Sequence, residues 1–454
     1  MKSLSEQIAD FIVGTKFQDL PAAVVRKAKE QIIFFFGRAF EGSTTDAGRQ
    51  MRTVLHPMEQ SQGGATVIAE RFRLLVSDAA FANCSLMRES QGRDDVIWPA
   101  GIHAGSITLP TALAVGEVKR VSGREMLLAL ILGYEVMGKL GRAADSWATK
   151  LPRRPTNVYG GYGPITVAGR LLNLDQQCMS NALGYAANLE MGIPEGGMMD
   201  HYYSLINRNG ILAAQLAEAG GAPYSRYTIE GTGGLFHSFF GEVPATLPAL
   251  IGSLGHDWEI LTAEQKHFPG TGQNTVPIEL LIELVKAEKL NAAQVVKIEV
   301  VQPDFHEAIE RKGEVSSRGP FTKLVQAYSS LPYALALVLL EGTVAMRRYA
   351  DSADVNDPSV AREMHKINIT DEEGHGPRYC RLAVYTKDGR KLVREAKNFA
   401  YRFPPAVWGA WLQEAGTRLL PIAQLRTLEH LVVGLEDLDD VSTLMAVLVP
   451  PEPR

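Results

Sequence analysis

Residues 81–117 place a dense run of charge between two apolar helices, and the rest of the chain has to be arranged around this stretch. Apolar side chains recur at helical spacing up to Met87, and a second apolar helix is predicted from about Ser106. The polar run between them includes Arg88, Asp94 and Asp95. Charged groups are costly to bury unless they are paired, so such a run often marks a functional site.

His103 follows this run, in a loop that also holds Trp98, Pro99 and Gly101. Histidine is the side chain whose ordinary pKa lies closest to neutral pH, so the segment predicts a general acid–base site. The alternative is a solvated loop that contains one satisfied histidine. The sequence by itself leaves both interpretations open.

The length of 454 residues exceeds what one compact core supports, so two domains are expected. A hydrophobic content of 46% and a charged content of 21% are typical of a soluble globular protein. The net charge of −5 argues against a nucleic-acid binder, which needs a basic face. The longest apolar run, 126–134, is far shorter than the ~20 residues of a membrane span.

The three cysteines, Cys84, Cys178 and Cys380, lie far apart and form no CxxC motif. A zinc ribbon or a disulfide framework is therefore not expected, and a reducing compartment fits. The N-terminal segment carries Glu6 and Asp10 where a signal peptide has an uninterrupted apolar core. We therefore expect a soluble, cytoplasmic protein.

The hydrophobic pattern of the first half of the chain predicts one helix after another. Three of these helices, predicted at 163–174, 176–189 and 209–219, are rich in Ala and Gly, which indicates close helix–helix packing. The pattern changes near Leu261 and becomes helical again after 403–405.

Between these points the sequence predicts a mixed region, with helices at 277–290 and Leu331–Glu341 and a strand at 295–301. The dipeptide Asp388-Gly389 tolerates positive φ and predicts a β-hairpin. The predicted fold is therefore mostly α, with a large all-helical domain built from both chain ends and a smaller inserted α+β lid domain. The predicted boundaries are 1–262 and 401–454 for the helical domain and 263–400 for the lid.

Most familiar catalytic motifs are absent from the sequence. The glycine-rich segments 160–163 and 270–272 do not follow a predicted strand, as a dinucleotide-binding loop must, and no P-loop occurs. The histidines form no HExxH or HxxxH arrangement, and no GxSxG elbow is present. We therefore predict no metal site and no cofactor.

A second candidate segment, 151–163, places Arg153 and Arg154 before a glycine-rich helix start that contains Tyr159. Guanidinium forks match the two oxygens of a carboxylate, and a helix N-terminus adds positive potential. The segment therefore favours carboxylate binding. The alternative is a surface-exposed basic turn.

A third segment, 264–275, contains Lys266 and Gln273 in a loop shaped by proline and glycine at the predicted domain boundary. A lysine in such a cleft can stabilise a developing enolate or hold a substrate carboxylate. The alternative is an exposed linker lysine.

Taken together, these segments and several others occur in the order and spacing of a known family. The segments are FAN at 81–83, Asp94-Asp95, His103 before an apolar helix, AGRLLNLD at 168–175, IEGTGGLF at 229–236, Lys266-x-Phe-Pro269, YSSLPY at 328–333 and LDDVS at 438–442. The chain resembles the MmgE/PrpD family over nearly its whole length. The resemblance implies a homodimer and a metal-free cleft between the helical domain and the lid. It also implies proton abstraction followed by elimination, decarboxylation or epimerisation of small polycarboxylates.

The same resemblance assigns roles to two residues of this chain. It makes His103 a candidate general acid or base and Lys266 a candidate for carboxylate binding or enolate stabilisation. Other family positions differ. The aspartate before the acidic pair is Gly92, and the threonine after it is Val96. An active-site histidine is Arg154, which is almost always protonated and binds carboxylates rather than acting as a base.

A Lys-Arg pair of the family is replaced here by the segment 199–202. His201 and Tyr202 in this segment are therefore candidates for transferring the proton. We therefore expect a cofactor-independent lyase that acts on a small di- or tricarboxylate. Elimination is favoured over epimerisation because only one clear base remains. A decarboxylase, an epimerase and a non-catalytic ligand-binding protein stay as alternatives.

The expected partner is a small organic acid, with no nucleic acid and no membrane. The candidate catalytic residues are His103, Lys266, His201 and Tyr202. The candidate substrate-binding residues are Arg154, Arg88, Asp94, Tyr159 and Gln273.

Overall fold

The computed structural model describes residues 2–60, 63–88, 94–98, 100–143, 155–189, 201–269, 274–303, 318–322, 324–344, 346–349, 352–376, 378–399 and 403–452. These residues form two compact units. The helical unit comprises Met1–Ser90, Asp94–Gln265 and Phe403–Arg454, and the α+β unit comprises Lys266–Arg402.

The described part of the helical unit is built mainly from α-helices. In chain order they are α1 (Leu4–Gly14), α2 (Ala22–Gly42), α3 (Asp46–Leu55), α4 (Val76–Arg88), α5 (Gly105–Lys119), α6 (Gly123–Ala143), α7 (Pro155–Tyr159), α8 (Tyr162–Leu171), α9 (Gln176–Leu189), α10 (Tyr202–Glu218), α11 (Leu235–Phe240), α12 (Leu247–Gly252) and, after the α+β unit, α18 (Trp408–Gly416), α19 (Ile422–Val433) and α20 (Ser442–Ala446). Short 3-10 turns lie at Phe17–Asp19, His56–Met58, Glu259–Thr262, Pro405–Val407 and Leu435–Asp437.

Local sequence signals explain where several of these helices begin. The Ser3 side chain accepts from the backbone N–H of Glu6, and the Glu6 carboxylate accepts from the backbone N–H of Ser3, which completes a capping box at α1. Helix α9 covers the predicted range 176–189. Helix α10 begins several residues before the predicted 209–219, because polar side chains in its first turns are buried against α4 and α5 and break the apolar pattern.

Close approach of the central helices depends on glycine, as the Ala and Gly content predicted. Helix α8 packs against α5, α6 and α10. A Cβ on Gly133 of α6 would lie 2.7 Å from Cγ2 of Val167, and a Cβ on Gly163 of α8 would overlap the Met137 sulfur. Larger residues at these crossings would force the helices apart.

Two short antiparallel strand pairs interrupt the helical unit. Strands β1 (Ala65–Thr66) and β2 (Arg73–Leu74) pair with each other, and β3 (Asp95–Ile97) pairs with β4 (Ala263–Gln265). The sequence pattern predicted no strand where β3 lies. A three-residue strand has almost no periodicity of its own, and its partner is remote in the chain, so local patterns do not reveal it.

The α+β unit contains a four-stranded sheet in the order β6-β5-β7-β8. The strands are β5 (Val295–Gln302), β6 (Ile367–Asp371), β7 (Cys380–Thr386) and β8 (Lys391–Ala396), and the helices are α13 (Thr275–Glu288), α14 (Leu324–Ser329), α15 (Leu331–Glu341), α16 (Ser352–Val355) and α17 (Pro358–Met364). Short 3-10 turns lie at Ala292–Gln294 and Met346–Tyr349.

The sheet is mixed, because β5 runs parallel to β6 and antiparallel to β7. Strands β7 and β8 form the predicted hairpin, and Gly389 has the positive φ of 85° that the Asp-Gly signal anticipates. Helices α13 and α15 contribute to one apolar core with the inner face of the sheet. The predicted fold class, mostly α with a smaller α+β part, is confirmed.

A buried ion network joins α6 to the segment before β4. The Glu135 carboxylate accepts from the backbone N–H groups of Gly255 at 3.1 Å and Glu259 at 2.7 Å. Nζ of Lys139 lies 3.3 Å from Oε1 of Glu259, and Arg142 forms a bidentate pair with the same carboxylate at 2.9 and 2.7 Å. This network aligns the chain that leads into β4.

None of the helices within the described ranges is long and apolar enough to cross a membrane.

Glu135 predicts a pH dependence of stability. Burial raises the pKa of this carboxyl from 4.5 to about 7, so the folded protein holds the proton more tightly than the unfolded chain. The resulting stabilisation is fully present below the unfolded pKa and is lost as pH rises through about 7. We expect the free energy of unfolding of the unmodified protein to fall by about 3 kcal/mol relative to Glu135→Gln between about pH 5 and pH 9.

Denaturant unfolding across that pH range measures this difference. Glu125→Gln is the matched control, because the Glu125 side chain is 42% exposed in its ion pair with Arg170. A Glu135→Gln difference that stays constant with pH, like that of the control, contradicts the prediction.

Candidate functional site

Strand β3 and the start of α5 bring the acidic pair and the predicted histidine together. The backbone N–H of Gly101 donates to the carbonyl of Ile97 at 2.8 Å, and Ile97 forms a bridge with Ile102. This tight turn reverses the chain directly after β3. His103 therefore lies beside the residues that begin the strand, and α5 starts at Gly105.

Asp95 is fully buried and faces the N-terminus of α5. Its two carboxylate oxygens accept from the backbone N–H of Gly105 at 3.1 and 3.2 Å, and the Tyr134 hydroxyl donates to Oδ2 at 2.7 Å. Burial, followed by the charge of Asp94, raises the pKa of Asp95 well above its usual range. Asp95 is therefore the member of the pair that retains a proton most readily.

Asp94 is also fully buried, but its surroundings favour the charged form. Nε of Arg88 lies 3.3 Å from Oδ2 of Asp94, and the Ser106 hydroxyl donates to the same oxygen at 3.2 Å. The backbone N–H of Asp95 donates to Oδ1 at 2.8 Å. A cation and two donors stabilise a carboxylate, so the negative charge of the pair belongs on Asp94.

The geometry of His103 defines its tautomer. Nδ1 lies 2.5 Å from the backbone carbonyl oxygen of Asp95, which can only accept, so Nδ1 carries the hydrogen and donates it. Nε2 then holds the lone pair of the neutral ring. Oδ2 of Asp94 lies 3.9 Å from Nδ1, where its charge stabilises an imidazolium electrostatically. In this tautomer Nε2 is the ring nitrogen that can accept a proton.

The backbone of His103 is held as well. Its N–H donates to the Thr156 hydroxyl of α7 at 3.0 Å. The side chain of His103 is 17% exposed. In the described part of this segment both carboxylates are fully buried, so Asp94 and Asp95 do not lie in a solvated loop.

A residue that the sequence did not single out, Tyr203, lies beside this group. The Arg88 guanidinium lies over the Tyr203 ring, 4.7 Å from its centre, and the centres of the His103 and Tyr203 rings are 6.5 Å apart. Thr156 and Tyr134 were missed too. No sequence signal distinguishes any of the three, because their roles depend on which helices pack together.

His201 and Tyr202 lie at the start of α10, where their neighbours are defined. His201 has a left-handed backbone with φ of 64°. Its Nδ1 lies 2.9 Å from the Ser85 hydroxyl and its Nε2 lies 3.1 Å from the Gln50 side-chain oxygen. The Tyr202 ring packs against Tyr203, with ring centres 5.5 Å apart. Tyr202 therefore contacts a tyrosine that neighbours His103, whereas the contacts of His201 are with Ser85 on α4 and Gln50 on α3.

The other predicted residues fall into three groups. Tyr159 is buried at the end of α7, with its ring 6.0 Å from that of Phe236. Lys266 belongs to the α+β unit and is 6% exposed, so the alternative of an exposed linker lysine is wrong. Arg154 and Gln273 lie outside the described residues. In the part of the chain that the structure describes, no group of three or more His, Cys, Asp or Glu side chains is arranged to hold a metal ion.

The fold and the site together define a mostly helical protein with an inserted α+β unit, in which Asp94 and Asp95 are buried beside His103. The sequence profile of the MmgE/PrpD N-terminal domain matches residues 6–247, and that of the MmgE/PrpD C-terminal domain matches 268–405. The chain therefore belongs to the MmgE/PrpD family, as the resemblance predicted.

Among curated proteins, the chain is similar to enzymes named cis-aconitate decarboxylase. The protein from Aspergillus terreus is 24% identical, over 98% of this chain and 96% of its own length. The human protein is 25% identical, over 100% of this chain and 96% of its own length. The mouse protein is 25% identical, over 99% of this chain and 94% of its own length.

The close approach at Gly105 yields a prediction about how the site is assembled. A Cβ on Gly105 would overlap the Phe35 ring and lie 2.5 Å from the Tyr134 hydroxyl that donates to Asp95. We expect Gly105→Ala to lower the free energy of unfolding by roughly 2 kcal/mol or more, because the buried neighbours cannot move without strain. Denaturant unfolding measures the change.

Gly116→Ala, in the same helix, is the matched control. Its Cβ would lie 3.3 Å from methyl groups of Val121 and Val441 and 3.8 Å from Cγ of Met126. We expect a change within about 1 kcal/mol, because the gain in helix propensity offsets mild crowding. Equal effects of the two substitutions would show that the Gly105 contact does not constrain the site.

Proposed function

We propose that this protein is a cofactor-independent lyase that removes a proton α to a carboxylate or carbonyl of a small di- or tricarboxylate. The observation that carries the proposal is the His103 ring, with Nδ1–H donated to the Asp95 carbonyl and the Asp94 carboxylate 3.9 Å away. Membership of the MmgE/PrpD family and the names of the relatives support a carboxylate substrate.

In the proposed reaction, Nε2 of His103 takes the proton from the substrate carbon, and the C–H electron pair becomes the new C=C bond. The C–O bond to the neighbouring carbon breaks, and the departing hydroxide receives a proton and leaves as water. His201 or Tyr202 is the proposed proton donor for this second step. The Asp94 charge supports the imidazolium that forms, and burial strengthens this attraction relative to water.

The substrate carboxylates need donors and cations. We assign these roles to Arg88, Tyr159 and Lys266, together with Arg154 and Gln273 on the basis of sequence alone. Guanidinium and ammonium groups stabilise the enolate-like charge that develops when the proton leaves. Asp94 contributes through His103 and Arg88 rather than by contacting an anionic substrate, since two carboxylates repel each other.

Decarboxylation is the second candidate, because the relatives named cis-aconitate decarboxylase align over nearly their full length. In that reaction a C–C bond breaks, CO2 leaves, and the carbon receives a proton from the His103 imidazolium. Release of CO2 from cis-aconitate distinguishes decarboxylation from dehydration, which releases no CO2.

Epimerisation is a third candidate reaction. A ligand-binding protein without activity binds carboxylates and exchanges no deuterium from solvent.

His103→Ala tests the base directly. We expect deuterium exchange from D2O into the substrate to fall by about a hundredfold or more, because the group that transfers the proton is removed. His237→Ala is the matched control, since His237 lies on α11 and its Nδ1 contacts the carbonyl oxygen of Gly241 at 3.2 Å, at the end of the same helix. Normal exchange by His103→Ala would refute the assignment of His103.

Lys266→Met tests the proposed carboxylate-binding cation. The loss of a cation that pairs with a carboxylate predicts a KM or Kd raised by roughly tenfold or more. Lys286→Met is the control, because Lys286 is an exposed lysine in the last turn of α13 in the same unit. Equal affinities in the two variants would remove Lys266 from the proposed binding site.

A further inference from the structure

Tyr203 carries a buried hydroxyl that the fold does not use. The residue lies in the first turn of α10 and is 3% exposed. Among the described residues, no group forms a hydrogen bond with this hydroxyl. Leaving a buried hydroxyl unpaired costs about 1–3 kcal/mol, so such groups are rare in folded proteins and need a reason.

The ring that carries this hydroxyl is held in place from several sides. The Arg88 guanidinium covers one face at 4.7 Å, while the same arginine pairs with Asp94. The Tyr203 backbone carbonyl accepts from the Asn207 side chain at 3.3 Å, and Asn207 also accepts from the Thr111 hydroxyl at 2.9 Å. A ring this constrained presents its hydroxyl at a defined position, as a binding site requires.

A second buried polar side chain without a partner among the described residues belongs to Asn157, on the same helix as Thr156. Asn157 is 2% exposed, and neither its amide nitrogen nor its amide oxygen has a hydrogen-bond partner within the described residues. It directly follows Thr156, whose hydroxyl accepts from the backbone N–H of His103. Within the described residues, Tyr203 is therefore a buried residue with an unpaired hydroxyl whose ring contacts that of the proposed base, and Asn157 is a second buried, unpaired side chain, one residue from Thr156. Buried polar groups that the protein leaves unpaired indicate a polar ligand.

We propose that the Tyr203 hydroxyl donates a hydrogen bond to a carboxylate oxygen of the substrate beside His103. This inference rests on the proposed function and names one binding group for it. A phenol is suited to this role, because it is a neutral donor and its ring is apolar enough to pack in the core. The Arg88 guanidinium next to it is a charged donor that also pairs with Asp94, and the phenol adds a neutral donor beside it.

Tyr203→Phe tests the proposal because it deletes the hydroxyl and keeps the ring. We expect the Kd for tricarballylate, a tricarboxylate that cannot undergo dehydration, to rise roughly tenfold by calorimetry. We also expect the melting temperature of the ligand-free variant to stay the same or to rise, because an unpaired buried hydroxyl is removed.

Tyr349→Phe is the matched control. Tyr349 belongs to the core of the α+β unit, and its hydroxyl is likewise buried without a hydrogen-bond partner among the described residues. Its ring packs against those of Tyr328 and Tyr333. This substitution should change the melting temperature in the same direction as Tyr203→Phe and leave the Kd for tricarballylate unaltered.

The outcomes separate this inference from the proposed function. Unaltered affinity in Tyr203→Phe overturns the inference, and so does a marked loss of stability, because the hydroxyl would then have a structural partner. If the unmodified protein binds tricarballylate but exchanges no deuterium into reactive carboxylates, the proposed lyase activity is overturned. The ratio of the Kd of Tyr203→Phe to that of the unmodified protein still decides the role of Tyr203. An unmodified protein that binds no carboxylate overturns both.

Discussion

The site depends on the burial of two adjacent carboxylates, Asp94 and Asp95, between α4 and α5. Two neighbouring carboxylates in a dry interior cannot both ionise at low cost, so their surroundings must differ. Asp95 receives the N–H at the start of α5 and the Tyr134 hydroxyl, and its pKa is raised. Asp94 receives Arg88 and keeps the charge. The backbone carbonyl of Asp95 orients His103, and the Asp94 charge lies 3.9 Å from Nδ1 of its ring. Both contacts depend on the packing that buries the two carboxylates.

The departures from the family pattern leave this arrangement in place. Gly92 and Val96 flank the acidic pair where the family has other residues, and Val96 is buried in β3. His103, the Asp94 carboxylate and the Asp95 carbonyl that selects the tautomer lie together in this chain. The proposed chemistry rests on these three groups.

Sequence patterns predicted the helices around the site because each buries an apolar face with a regular period. They also predicted the β7–β8 hairpin, since Asp388-Gly389 favours the required turn. The pairing of β3 with β4 was not predicted, because it joins segments remote in the chain and each strand is only three residues long. Tyr203 and Thr156 were missed for the same reason, as only helix packing brings them to His103.

The sequence by itself determined the fold class, the family and the identity of the charged segment that includes Asp94 and His103. The fold class follows from the periodicity of apolar residues, and the family follows from the order of the motifs along the chain. Both can be read without knowing which segments pack together. The tertiary structure decided which carboxylate holds the charge, which nitrogen of His103 carries the hydrogen, and which tyrosine lies beside it. Those features depend on burial and on contacts between distant segments, because the cost of a charge or a hydroxyl is set by what surrounds it.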